Sequence, residues 1–183
     1  MNRRTLMTGL VAAAAVSPAL AQTADLENTL YLDLKDGRVV IQLLPELAPK
    51  HVERVKTLAR KGFYDNTPFH RVIEGFMAQG GDPTGTGTGG SDLPDLPAEF
   101  TTKRHFLRGT VGAARTQNPN SANSQFYIMF APSPNLDGAY TIWGQVTAGM
   151  EFVDKIKRGN AGNNGVVSGP DRVVRMRVAA DIK

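Results

Sequence analysis

Leucines alternate with other residues along Thr29–Leu34, placing Leu30, Leu32 and Leu34 on one face. After a short break the alternation returns in residues 38–43, where Val39, Ile41 and Leu43 share a face. A period of two is the signature of a half-buried strand. The Asp36-Gly37 pair between the runs is a tight-turn signal, so the spacing predicts a β-hairpin. The period then changes. Across residues 45–61, Val52, Val55, Leu58 and Ala59 fall on one helical stripe. Pro49 suits a first helical turn, Arg60 and Lys61 close the pattern, and Gly62 is placed to cap it.

Residues 63–147 hold no second long helical pattern. Short apolar runs at 69–73, 76–79, 110–114, 125–130 and 140–146 alternate with turn-forming clusters. Residues 150–157 read as a shorter helix with Phe152, Val153 and Ile156 inward. Residues 171–182 read as a last strand with Val174, Met176, Val178, Ala180 and Ile182 on one face. Many short strands and two helices predict a mainly β chain, curled into a closed or nearly closed barrel with the helices packed on it. No internal repeat or linker interrupts it.

The first 21 residues have a different purpose. Arg3 and Arg4 form a positive start, residues 6–16 are apolar, and Ala19-Leu20-Ala21 offers a small-x-small cleavage site. This is the pattern of a cleaved secretory signal, and the apolar run of 11 residues falls short of the ~20 that a bilayer span needs. The mature chain then begins at Gln22 as a single domain, 22–183, with no membrane insertion after cleavage. The adjacent arginines suit either the general secretory or the twin-arginine route. Both lead to a bacterial periplasm.

Composition narrows the chemistry further. The chain is 41% hydrophobic and 21% charged, which is globular rather than disordered. Removing the leader takes two arginines from 21 basic residues and leaves 19 against 17 acidic ones, a net charge near +2. That is too little and too dispersed for a nucleic-acid footprint. There is no cysteine, so disulfides, thiol nucleophiles and thiolate metal ligands are excluded. The three histidines, His51, His70 and His105, lack metal-ligand spacing. Residues 85–90 match G-x-G-x-x-G, but Pro94 and Pro97 follow where a phosphate-binding helix must begin, so the match reads as a plain glycine loop. No G-x-S-x-G elbow is present.

Three segments concentrate the remaining candidates. Residues 69–82 read FHRVIEGFMAQGGD and set a cation beside large apolar side chains and an amide. Residues 110–115 read TVGAAR and are followed by SANSQFYI at 121–128. Residues 135–144 read NLDGAYTIWG. On a strand, Arg71 and Ile73 share one face and His70 and Val72 the other.

In this order and spacing the three segments resemble the cyclophilin family. Its F-H-R-x-I-x-x-F-M-x-Q-G-G-D pattern is matched through Asp82, its N-S-Q-F-F-I appears with Tyr127 for the second phenylalanine, and its L-D-G is Leu136–Gly138. The resemblance covers about residues 28–182. It implies an eight-stranded antiparallel β-barrel capped by two α-helices, and a peptidyl-prolyl cis–trans isomerase (a rotamase) that assists protein folding. By motif match Arg71 is the catalytic residue. Phe76, Met77, Tyr127 and Leu136 would line the proline pocket. Gln79 would hold substrate backbone and orient Arg71. Ala114 and Arg115 would present main-chain groups along the groove, with His70 beside it and Tyr140 in the pocket wall. The partners implied are proline-containing polypeptides, met by a monomer without cofactor or metal. Asn135 stands where many eukaryotic members carry tryptophan, which implies weak cyclosporin A binding, and Tyr140 stands where they carry histidine, which changes the pocket wall but keeps it aromatic. Arg115 replaces a common asparagine and should be tolerated. Trp143 should pack in the core.

The chemistry suits these residue types. Amide resonance opposes rotation with a barrier of ~18–20 kcal/mol. No bond breaks, so an apolar grip on the proline ring and a fixed guanidinium near the imide nitrogen suffice. A binding module or holdase could use the same groove without turnover, but retention of Arg71, Phe76, Met77 and Gln79 favours the enzyme. A barrel-type carrier would need a wide apolar lumen, to which nothing in the sequence points.

Overall fold

The computed structural model describes residues 25–182, so the leader and its cleavage site lie outside the described residues. The alternating leucines form the predicted hairpin. Strand β1 (Thr29–Leu34) pairs antiparallel with β2 (Gly37–Leu43), setting Leu30 opposite Ile41 and Leu32 opposite Val39. All four side chains are fully buried.

Helix α1 spans Pro49–Arg60, four residues shorter at its start than the pattern predicts. Proline disfavours helical backbone in the residue before it, and Ala48 accordingly sits at φ −145°, ψ 66°. Pro49 can occupy the first helical position because no N–H is needed there. Ala48 has no side chain with which to cap. The Glu99 carboxylate does so from far along the chain, accepting from the Lys50 and His51 N–H groups at 3.1 and 3.0 Å. At the other end Gly62, at φ +68°, closes the helix. Its N–H donates to Ala59 O and the Phe63 N–H to Leu58 O, the paired bonds of a Schellman cap.

Five further strands follow the predicted apolar runs: β3 (Arg71–Ile73), β4 (Met77–Gly80), β5 (Thr110–Ala113), β6 (Phe126–Met129) and β7 (Ile142–Ala148). Helix α2 (Met150–Val153) is a single turn and stops short of the predicted residue 157, although Val153 and Ile156 are buried as expected. The last strand, β8 (Arg175–Val178), corrects the expected face. Val173 and Met176 are buried but Val174 is 59% exposed, because the chain bends at Val174 and shifts the alternation by one residue. A 3-10 turn over Ala179–Asp181 ends the strand early and leaves Ile182 on the surface.

The eight strands form one antiparallel sheet in the order β3-β4-β6-β5-β7-β2-β1-β8. The edge strands β3 and β8 are not neighbours in the sheet, but the chain beside them is linked. Pro68 bridges Arg172, and the Phe69 N–H donates to Asp171 O at 2.9 Å. The sheet is thus curled into a nearly closed barrel with two helices, as expected. Its concave face holds the main core, which includes Val72, Ala78, Val111, Phe126, Ile128 and Trp143. A smaller apolar cluster of Leu44, Met77, Phe106, Tyr127, Met129, Leu136 and Ile142 forms on the opposite face. Strand β6 is buried throughout because Phe126 and Ile128 face one cluster while Tyr127 and Met129 face the other. Among the described residues no helix is long and apolar enough to cross a membrane.

Candidate active site

Sheet register assembles the site on the outer face. Arg71 on β3 lies opposite Gln79 on β4, Gln79 opposite Tyr127 on β6, and Tyr127 opposite Gly112 on β5. Side chains in such a row stand on one face with neighbours about 5 Å apart. A cation, an amide and an aromatic ring are therefore set side by side by backbone pairing alone. Beside this row is a cavity of about 180 Å³ lined by Arg71, Phe76, Met77, Gln79, Ala114, Arg115, Tyr127, Leu136 and Tyr140. These are nine of the ten residues singled out from the sequence.

The tenth, His70, does not line this cavity. Strand alternation turns it away from Arg71, it is 7% exposed, and a methyl group at Gly87 would lie 3.5 Å from its ring. Burial holds its imidazole below the ordinary pKa, with Asp82 partly opposing.

Arg71 is tightly held. Its Nη1 donates to Gln79 Oε1 at 3.1 Å, its Nε to Asn164 O at 3.0 Å and its Nη2 to Asn164 Oδ1 at 2.9 Å. A guanidinium carries five N–H groups, so these three bonds leave two. Burial lowers its pKa from the ordinary value, with Tyr140 opposing, but an arginine starts so high that the cation persists at neutral pH. Asn164 was not among the sequence candidates. It lies 93 residues from Arg71, and its only local sign is the Asn-Gly pair, which suits the left-handed φ of +49° found there.

The pocket wall is aromatic. Tyr127 stacks on Phe106 with centroids 5.8 Å apart and meets Tyr140 edge-on at 6.1 Å. The Arg115 guanidinium lies 4.3 Å over the Tyr140 ring, and its Nη2 donates to Ala139 O at 2.8 Å. The Arg115 side chain therefore braces the wall, where the sequence suggested a mainly main-chain role. Gly112 makes room for Tyr127: a methyl group there would lie 2.6 Å from Tyr127 Cζ and 2.7 Å from its oxygen.

That hydroxyl is buried with no hydrogen-bond partner among the described residues, and burial pushes its pKa up. An unpaired buried hydroxyl costs about 1–3 kcal/mol. Tyr127→Phe should therefore raise stability by about 1 kcal/mol, seen as a higher melting temperature with isomerase activity retained. A lower melting temperature would show that the hydroxyl is satisfied in solution.

The glycine loop is occupied with its own chain. Thr84 N–H donates to Asp82 Oδ1 at 2.8 Å, and the Gly87 and Gly89 N–H groups donate to Oδ2 at 2.7 and 3.1 Å. Burial alone would raise the Asp82 pKa, but these bonds outweigh it and hold the carboxyl below its ordinary value. The amides that would cradle a phosphate are thus already committed. A second cavity of about 460 Å³ adjoins the first, sharing Gln79, Ala114 and Arg115 and adding the loop and Gln125. Among the described residues no group of three His, Cys, Asp or Glu could hold a metal ion.

Comparison with known proteins agrees with this geometry. The family model described as cyclophilin type peptidyl-prolyl cis-trans isomerase/CLD matches residues 29–178. A probable peptidyl-prolyl cis-trans isomerase of Brucella suis is 51% identical over 194 residues, covering 97% of this chain and 98% of that protein. Among solved structures, cyclophilin AquaCyp293 from Hirschia baltica superposes with a TM-score of 0.77 at 28% identity, over 87% of this chain and 76% of that one. A Cryptosporidium parvum cyclophilin type peptidyl-prolyl cis-trans isomerase, crystallised in the presence of the dipeptide Ala-Pro, gives 0.76 at 28% identity over 82% of this chain and 98% of that one.

Proposed function

The chain belongs to the cyclophilin-type peptidyl-prolyl cis-trans isomerase family, and on that premise we propose that it isomerises Xaa-Pro bonds of exported polypeptides in a bacterial periplasm, with Arg71 as its catalytic residue. It is a peptidyl-prolyl cis–trans isomerase that assists protein folding. The observation that carries the assignment to Arg71 is its fixed guanidinium, with two N–H groups to spare, at the edge of an apolar cavity of proline size.

Phe76, Met77, Tyr127 and Leu136 grip the pyrrolidine ring, and Tyr140, braced by Arg115, closes the far wall. With the ring held, only the segment before the proline needs to rotate. As the amide twists, its nitrogen lone pair localises and becomes a better acceptor. A guanidinium N–H aimed there stabilises the twisted state more than the planar one, which is what lowers the barrier. No proton is transferred and no covalent intermediate forms. Gln79 holds Arg71 in register and presents its amide to the substrate backbone, while Ala114 offers main-chain groups along the groove.

The leader pattern of residues 1–21 and a Brucella relative matched over 97% of this chain support a bacterial, exported protein. The domain is residues 22–183. A single chain supplies every residue assigned to the cavity, so the proposed activity needs no second copy. Asn135, engaged with the Ser133 hydroxyl at 2.8 Å, offers no indole to cyclosporin A. A calorimetric titration should therefore show weak binding, and a tight complex would overturn that. The reading as a whole is tested by a protease-coupled assay on residues 22–183 with Xaa-Pro peptides. Acceleration over the uncatalysed rate is expected, and groove binding without acceleration would favour the holdase.

A further inference from the structure

Gln125 lies outside the apolar pocket and does not touch Arg71, yet the two are joined by an unbroken set of hydrogen bonds. Arg71 Nη1 donates to Gln79 Oε1 at 3.1 Å, and Gln79 Nε2 donates to Gln125 Oε1 at 2.9 Å. Gln125 Nε2 then donates to Gly87 O at 3.0 Å and Gly89 O at 2.9 Å. The order of donors follows from the residue types. A guanidinium can only donate, so Gln79 must turn its oxygen toward Arg71 and its NH2 toward Gln125. Gln125 must meet that NH2 with its oxygen, which leaves its own NH2 for the loop. The loop presents two carbonyls there. Reversing either amide would set N–H against N–H or oxygen against oxygen. The loop is itself pinned, because its Gly87 and Gly89 N–H groups are bound to the buried Asp82 carboxylate.

We infer that Gln125 is a positioning residue for isomerisation: it locks the Gln79 amide in the one orientation that holds the Arg71 guanidinium, and it draws that orientation from the Asp82-anchored glycine loop. The inference rests on Arg71 being the catalytic cation. Without Gln125 the Gln79 amide is free to turn, and Arg71 is held only by Asn164 on an exposed loop. Small losses of aim at a reacting centre are costly to turnover and need not alter binding.

The test is kinetics of wild type, Gln125→Ala, Gln125→Glu, Arg71→Ala and the Arg71→Ala/Gln125→Ala double variant on one Xaa-Pro peptide. Gln125→Ala should lower kcat about tenfold with KM within about twofold, as expected when only the pose of a catalytic group is lost. Gln125→Glu, which keeps the size, should also lower kcat. Its carboxylate still accepts from Gln79 but meets the Gly87 and Gly89 carbonyls with nothing to donate. In the Arg71→Ala background the Gln125→Ala change should cost nothing further, a non-additivity that general destabilisation would not produce. Equal losses in both backgrounds, or a change in KM alone, would overturn the inference. An independent readout is rotation of the Arg71 guanidinium about its Nε–Cζ bond, followed by NMR in the folded protein. It should be faster in both single variants, and unchanged rotation would also overturn the inference. An inactive wild type would instead refute the catalytic reading, with the NMR comparison still deciding the relay.

Discussion

Replacing Arg71 by alanine is expected to lower kcat/KM for Xaa-Pro isomerisation about a hundredfold, the cost of roughly 3 kcal/mol for one charge-assisted donor in a preorganised site. The loss should fall on kcat, because the apolar grip of Phe76, Met77, Tyr127 and Leu136 on the proline ring is untouched. The fold should survive. Arg71 is half-buried on an edge strand, and the core contact of β3 is made by Val72. Arg71→Lys should recover only part of the rate. An ammonium keeps the charge but cannot reproduce a rigid fork that bonds Gln79 on one side and Asn164 twice on the other. A stopped-flow or protease-coupled assay on both variants, with circular dichroism to confirm folding, checks this.

The largest effect on stability should come from Phe126→Ala. Phe126 is 1% exposed and meets three aromatic rings edge-on: Tyr64 at 5.7 Å, Phe69 at 6.2 Å and Trp143 at 6.0 Å. Truncating a buried phenylalanine removes its transfer free energy and leaves a cavity, about 3–5 kcal/mol together. Native domains hold only about 5–15 kcal/mol, so this is a large fraction of the total. It should appear as a lower urea midpoint at nearly constant slope. Phe126→Leu should cost clearly less, because it refills most of the volume. A loss under about 1 kcal/mol for alanine would mean that the surrounding rings collapse into the space. Phe126 sits between Gln125 and Tyr127, so its packing also fixes two residues of the site.

Much of this was legible in the chain because local rules carried it. Alternating leucines around Asp36-Gly37 predict the hairpin, and the stripe ending at Gly62 predicts α1. The pattern starts α1 too early because residues 45–48 continue the apolar rhythm, while Pro49 disfavours helical backbone at Ala48. The alternation predicts a longer last strand than forms, because the bend at Val174 leaves no mark in residue type. At the site, the motif match selected nine residues that share one cavity. Alternation turns His70 away from Arg71 and sets it against the glycine loop. Gln125 lies inside the matched N-S-Q-F segment but nothing local gives it a role, and Asn164 falls outside every matched segment. Their roles come from the register of distant strands and from a loop 93 residues away, and neither is written in a spacing. The bracing of Tyr140 by Arg115 is likewise a tertiary contact, and the motif points only to the backbone of that arginine.

If Arg71 drives rotation of Xaa-Pro bonds in this groove, its loss must suppress exchange in a bound peptide. The most direct measurement is NMR exchange spectroscopy on a proline peptide with separate cis and trans resonances, using catalytic amounts of residues 22–183. Cross-peaks between the cis and trans signals are expected to grow with wild-type enzyme and nearly vanish with folded Arg71→Ala. Absence of exchange with wild type, or equal exchange with both proteins, would contradict this mechanism.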